Sequence, residues 1–240
     1  MALLNSEVRN SLVFYLFWLV SAVEIGAEFY QNQAIIYATK PLLLPMLACF
    51  YFVTTSAINK GYLLALLFNW VANMAFLFPS STFLFFATLS FIIHRSIIVF
   101  EIWKFEFSRG IRLKPVLMGS TPFLILFLSV IHLVYTDVFE YELYMLMAQA
   151  FVMALLGGIA FGAYFLIHDN ASKLLFMSAL CFALNLFVLG VKLYYLNIDY
   201  LKPISMIFFL LGHVFLCKYM VLISDILVKK STIKDIYYKK

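Results

Sequence analysis

Residues 143–166 read LYMLMAQAFVMALLGGIAFGAYFL, a run of 24 residues without one charged side chain. Wound as a helix at ~1.5 Å per residue, such a run is about 36 Å long, enough to cross the roughly 30 Å hydrocarbon layer of a bilayer. Working outward from it, comparable apolar stretches fall at 11–28, 41–58, 61–78, 82–103, 115–135, 172–195 and 203–226. Turn and helix-start signals separate them: Asn59-Lys60-Gly61, Pro79-Ser80-Ser81, Lys114-Pro115, Asp169-Asn170 and Lys202-Pro203. The pattern predicts an all-α polytopic membrane protein, a bundle of eight transmembrane helices in a single domain over residues 1–240.

Composition points the same way. The chain is 65% hydrophobic and 12% charged, with a mean hydropathy of +0.99, too little charge to cover a soluble domain of this size. The net charge of +5 gathers in loops and at the C-terminal tail. Membrane topology and anionic headgroups account for it better than nucleic acid does. Cys49, Cys181 and Cys217 sit inside apolar stretches and are expected as buried small hydrophobes, neither a disulfide framework nor a metal site. Before the first run Glu7 and Arg9 cancel and no small-residue cleavage site stands out, so a retained first helix is expected. There is no Gly-rich phosphate loop, no Gly-x-Ser-x-Gly elbow and no His-Glu-x-x-His pair, and His94, His132, His168 and His213 do not share one helix face. No cofactor and no metal are expected.

The distribution of Lys and Arg orients the helices. With the N-terminus inside, the internal segments hold Arg9, Lys60, Lys104, Arg109, Arg112, Lys114, Lys173 and the five tail lysines, twelve in all. The external loops hold Lys40 and Lys202, with Asp137, Glu140, Glu142 and Asp199 beside them. Twelve against two predicts a multi-pass cell-membrane protein with both termini in the cytoplasm, and one helix more or fewer would scramble the bias.

Charge within hydrocarbon costs at least ~2.5–3.5 kcal/mol per group, so polar residues inside the spans form the candidate site. They are Glu24, Glu28, Asn69, Asn73, His94, Arg95, Glu101, Gln149, Asn185, Lys192, His213 and Lys218. Glu28, Lys40, Lys192 and Glu101 lie near interfaces, where long side chains snorkel. Asn69, Asn73, Gln149 and Asn185 suit interhelical hydrogen bonds. Arg95 and Lys218 lie more than two turns from a helix end and require a counter-charge, a polar cavity or a lipid phosphate. At ~1.5 Å per residue, Asn73, Asn185 and His94 each fall about 18–20 Å along their helices, in the middle band of the bilayer. His168-Asp169 reads as a helix-terminal turn.

Several stretches, in matching order, resemble the YhhN-like lysoplasmalogenase family. Thr39-Lys40-Pro41-Leu42-Leu43-Leu44-Pro45-Met46 looks like its Lys-Pro start of helix 2. Leu67-Phe68-Asn69-Trp70-Val71-Ala72-Asn73-Met74 is similar to its helix 3 pattern, which carries Gly-Asp. Ser90-Phe91-Ile92-Ile93-His94 resembles its helix 4 segment, Ser178-Ala179-Leu180-Cys181-Phe182-Ala183-Leu184-Asn185 its helix 7 pattern ending in Ser-Asp, and Leu216-Cys217-Lys218-Tyr219 its helix 8 segment, which carries Gln. The resemblance implies an eight-helix membrane protein that hydrolyses the vinyl ether of lysoplasmalogens to a fatty aldehyde and a glycerophospho-alcohol. A carboxylic acid protonating the vinyl carbon and a carboxylate steadying the oxocarbenium ion would do that chemistry. Here the family's Gly-Asp reads Ala72-Asn73, its Ser-Asp reads Leu184-Asn185 and its Gln reads Lys218. Two anions become neutral and one neutral group becomes a cation, so a pocket rebuilt this way favours an anion. Two readings stay open. One is a hydrolase at the Asn73 and Asn185 positions, with Glu24 or His94 replacing the aspartates. The other is a non-catalytic protein that binds or moves an anionic lipid-like ligand through Lys40, Arg95, Lys218 and His213. The partners expected are membrane lipids, a lysophospholipid among them, and no nucleic acid; the oligomeric state is left open.

Overall fold

Side-chain oxygens start several helices by accepting hydrogen bonds from backbone N–H groups one turn on. Asn59 accepts from Tyr62 N at 2.9 Å, Ser80 from Phe83 N at 3.3 Å and Asp169 from Ser172 N at 2.8 Å. A computed structural model describes residues 2–78, 80–135, 140–196 and 198–238. They form α1 (Ala2–Phe29), α2 (Gln33–Thr54), α3 (Lys60–Ala75), α4 (Ser81–Ser108), α5 (Leu113–Val134), α6 (Glu140–Ile167), α7 (Asn170–Tyr194) and α8 (Leu201–Tyr238). Seven of these helices are long and apolar enough to cross a membrane, so the chain is an all-α, multi-pass membrane protein. The exception is α3, whose 16 residues make about 24 Å at ~1.5 Å per residue. Of the residues used in the sequence argument, Pro79, Asp137, Lys239 and Lys240 lie outside the described residues, as do the side chains of Glu7, Glu140, Lys230 and Lys234.

Helix α2 departs from expectation. Lys40-Pro41 reads as a helix start, but the helix begins a full two turns earlier, where Asn32 caps it by accepting from Ile35 N at 3.3 Å. Pro41 and Pro45 therefore both lie inside α2. Pro45 has no N–H to give the carbonyl four residues back, which is that of Pro41. The indole Nε1 of Trp70 on α3 donates to that carbonyl at 2.9 Å and replaces the missing bond. A membrane helix tolerates internal proline when a neighbour satisfies the freed backbone group in this way.

The helices pack in the order α1–α2–α3–α4–α6–α7–α8, with α8 returning to α1, α2 touching α8, and α5 outside against α6 and α7. Burial of apolar area does not drive helices together in lipid, so close packing must. Between α5 and α6 it rests on Gly158: a Cβ there would collide with Ser120 Oγ and the backbone oxygen of Val116. Gly110, at φ +93°, closes α4 with its N–H on Phe107 O at 3.0 Å. Cys181 and Cys217 are buried as expected; Cys49 is exposed on the outer side of α2, because the buried stripe of that helix runs through Leu43, Leu44, Leu47 and Tyr51.

One end of the bundle, here the Arg109 face, carries the turns at 55–59, 109–112 and 168–169. The opposite end, the Lys202 face, carries those at 30–32, 195–196 and 198–200. Among the described residues no extensive backbone contact joins α3 or α4 to α7 or α8. Polar side chains and a cavity occupy the space between them.

Candidate functional site

Three helices bring charge to the Lys202 face. On α1, Glu24 and Glu28 are four residues apart and share a side of the helix; both are buried. From α2, Lys40 Nζ donates to Glu28 Oε1 at 2.7 Å and lies 3.7 Å from Glu24 Oε1, and Thr39 Oγ1 hydrogen-bonds to Glu24. From α8, Lys202 Nζ lies 2.9 Å from Glu28 Oε2. Glu28 does not reach water as a snorkelling interfacial residue would; its carboxylate is enclosed by two lysines, which offset the cost of burying it. Lys192 on α7 pairs with Asp199 at 3.3 Å.

These groups ring the mouth of a cavity of about 380 Å³. It opens between the α1–α2 turn, at Gln31, and the α7–α8 loop, at Asp199. Glu28, Lys40, Lys192 and Lys202 stand at its charged end, Asn73, Asn185 and Ser205 within, and Phe76, Phe91, Leu189, Met206 and Phe209 form its apolar walls. A few placed polar groups on a mainly apolar hollow of this size is the usual make-up of a small-molecule site. Asn185 Oδ1 accepts from Ser205 Oγ at 2.6 Å. Asn73 Nδ2 donates to Asn69 O at 2.9 Å and to Asn69 Oδ1 at 3.1 Å.

A chain of contacts runs on from Asn73 into the core. Asn69 Nδ2 meets His213 Nε2 at 2.6 Å, and the His213 and His94 ring centroids lie 5.4 Å apart. His94 Nδ1 bonds to Ala65 O at 2.7 Å, as the donor, because a carbonyl only accepts. With Asn69 donating to Nε2, the His213 proton sits on Nδ1, which is buried with no hydrogen-bond partner in the structure.

The residues singled out in the sequence thus separate into five places. Asn73, Asn185 and Lys40 line one cavity. Glu24 sits behind its wall, tied in through Lys40. His94 and His213 lie deeper, and Arg95 lines a separate recess beside Gln149. Lys218 corrects its expectation: its side chain is exposed on the outside of the bundle, with Nζ 5.3 Å from the Phe14 ring centroid, so it is not a contact in the cavity. The reason is helical phase. His213, Cys217 and Met220 form the inward side of α8, and Lys218 follows one residue after Cys217, about 100° round.

A second cluster, at the Arg109 face, joins α4, α7 and α8. Tyr219 OH donates to Glu106 Oε1 at 2.7 Å, Arg109 Nη1 donates to the same oxygen at 3.2 Å, and Arg109 Nη2 pairs with Asp169. Partial burial pushes the Asp169 carboxyl up, but hydrogen bonds from Ser172 and the Arg109 charge more than offset it, leaving its pKa below the ordinary value. His168-Asp169 is the expected turn: His168 takes φ 56° and Asp169 caps α7. Glu106 escapes a sequence reading because it lies in a polar run at a helix end, where a solvated charge is the ordinary outcome. Among the described residues no group of His, Cys, Asp and Glu is placed to hold a metal ion.

Comparison with protein-family models, curated proteins and solved structures finds no match to this chain.

Proposed function

We propose that this chain holds a single-chain amphiphile of the lysophospholipid class, with the headgroup in the cavity at the Lys202 face, and does not hydrolyse it. One observation carries this reading. Asn73 and Asn185, at the two aspartate positions of the family the sequence resembles, line the same cavity, and Asn73 works there as an amide. Its NH₂ group faces two carbonyl oxygens of Asn69, groups that only accept. An ionised carboxylate in its place would be set against both. The mouth suits a zwitterion: Lys40, Lys192 and Lys202 can turn to a phosphate while Glu28 and Asp199 turn to an ammonium, with no net charge added. On the positive-inside reading the termini are cytoplasmic, the Lys202 face is external, and the headgroup enters from the outer leaflet of the cell membrane.

Glu24 supports a second reading. Its carboxyl is fully buried behind the cavity wall, with Oε1 lacking a hydrogen-bond partner and Lys40 3.7 Å away, whereas Glu28 is paired as a carboxylate with Lys40 and Lys202. As a hydrolase, the chain would protonate the β-carbon of a lysoplasmalogen vinyl ether. Water would add to the oxocarbenium ion, and the hemiacetal would collapse to fatty aldehyde and glycerophospho-alcohol.

The experiment is fatty-aldehyde release from lysoplasmenyl-ethanolamine by the purified chain, beside an Asn73→Asp/Asn185→Asp variant. Lysolipid binding with no turnover by the wild type is expected. Turnover by the wild type that Glu24→Gln abolishes would replace the first reading with the second.

A further inference from the structure

Arg95 on α4 is 6% exposed and lies within a membrane-spanning helix. Its Nη1 donates to Gln149 Oε1 on α6, and its guanidinium carbon lies 5.5 Å from the Phe91 ring centroid. Among the described residues no carboxylate forms an ion pair with it; the ion pairs belong to Lys40, Arg109, Lys192 and Lys202. A guanidinium has five N–H donors, and Gln149 takes one direction only. Buried charge without a counter-charge is the costliest way to use an arginine in a membrane.

Arg95 and Gln149 stand at the deep end of a recess of about 40 Å³ between α4, α6 and α7, walled by Leu84, Phe91, Leu146 and Leu189. Glu142 also lines it, but at the other end, two turns up α6, about 10 Å along the axis from Gln149. The recess adjoins the larger cavity at Phe76, Phe91, Asn185, Leu189 and Leu193, but neither Arg95 nor Gln149 lines that cavity.

We propose that Arg95 and Gln149 form an oxyanion subsite that takes the carboxylate of a long-chain acid, with its first methylenes in the recess and the rest of its aliphatic chain passing between Phe91 and Leu189 into the adjoining cavity of about 380 Å³. Three features select this ligand. The guanidinium fork matches the two oxygens of a planar carboxylate. One buried cation balances one negative charge, where a phosphate monoester would bring nearly two. The remaining walls are mainly apolar, through Leu84, Phe85, Phe91, Leu146, Leu186 and Leu189, and suit methylene groups. The subsite does not rest on the lysophospholipid reading; it stands if the larger cavity takes no lysophospholipid.

The test uses the full chain in a non-ionic detergent with carboxyl-¹³C oleate, followed by NMR. A saturable bound carboxylate resonance is expected, with affinity at least about tenfold weaker in Arg95→Gln, since a charge-assisted pair is lost. Arg95→Gln alone could fail by unfolding, so Gln149→Glu is the second variant. It sets a carboxylate of the protein's own against the guanidinium. It is expected to raise the melting temperature and to weaken oleate at least about tenfold. Lys218→Gln, outside the bundle, is expected to leave oleate binding unchanged. No saturable oleate signal in the wild type, or undiminished binding by folded Gln149→Glu, overturns the proposal. Displacement of oleate by inorganic phosphate at equal concentration would also overturn it, showing a free-anion site without a place for the chain.

Discussion

Trp70→Phe is a test of why α2 keeps two internal prolines. The substitution removes the indole N–H and leaves the Pro41 carbonyl, already deprived of its helical donor by Pro45, without a partner. A part-buried carbonyl orphaned in a membrane-spanning helix, away from water, costs about 1–3 kcal/mol, and the smaller ring loses some packing in addition. The two contributions separate in a double-mutant cycle with Pro45→Ala. Alanine at 45 returns the N–H that bonds Pro41 O within the helix, so in that background Trp70→Phe should lose only the packing part. The coupling between the two sites is therefore expected at about 1–3 kcal/mol. Unfolding free energies in mixed micelles, titrated with SDS, measure all four corners. Equal costs for Trp70→Phe in both backgrounds, within about 0.5 kcal/mol, would refute the reasoning. Function is touched as well, because this stretch of α2 holds Lys40 against Glu28.

Other expectations follow from single contacts. Glu28→Gln leaves Lys40 and Lys202 without their shared buried carboxylate. The loss is expected to be about 3 kcal/mol, the low end for a broken buried pair because Lys202 can swing to water, and the same SDS titration reads it. Gly158→Ala should cost about 1–3 kcal/mol by forcing α5 from α6, whereas Gly162→Ala, whose Cβ would meet Val116 at 3.4 Å, should be near neutral. Asp169 has its pKa lowered in the folded state, so the stability it adds is present above the ordinary carboxylate range, about 4, and is lost as pH falls through its lowered value. Asp169→Asn keeps the helix cap but not the charge. The gap in melting temperature between wild type and Asp169→Asn should therefore close on acidification and stay open toward neutral pH.

Membrane class was legible in the sequence because it depends on composition summed over long runs, as in 143–166, where no single residue decides. Helix ends were legible where a cap and a polar turn coincide, as at Asn59 and Asp169. They were misread at Lys40-Pro41, because a proline that starts a helix and a proline tolerated within one look alike until its neighbours are known. Matching depth along their helices grouped Asn73, Asn185 and His94, of which Asn73 and Asn185 line one cavity and His94 does not, because depth says nothing of which way a side chain faces. Helical phase hid the rest. Lys218 and His213 lie on the same helix and differ in whether they face lipid or the core. Glu28, Lys202 and Asp199 read as interfacial or loop charges, since only the closing of α8 onto α1 brings Lys202 to Glu28.

The most direct test of the central claim is lysolipid binding by the purified chain, followed by native mass spectrometry from detergent. Lysoplasmenyl-ethanolamine should bind saturably at one site, should weaken at least about tenfold with Lys40→Gln/Lys202→Gln, since charge-assisted contacts to its phosphate are lost, and should be indifferent to Lys218→Gln. Binding that survives the double substitution, or that Lys218→Gln removes, would place the ligand outside this cavity and contradict the account.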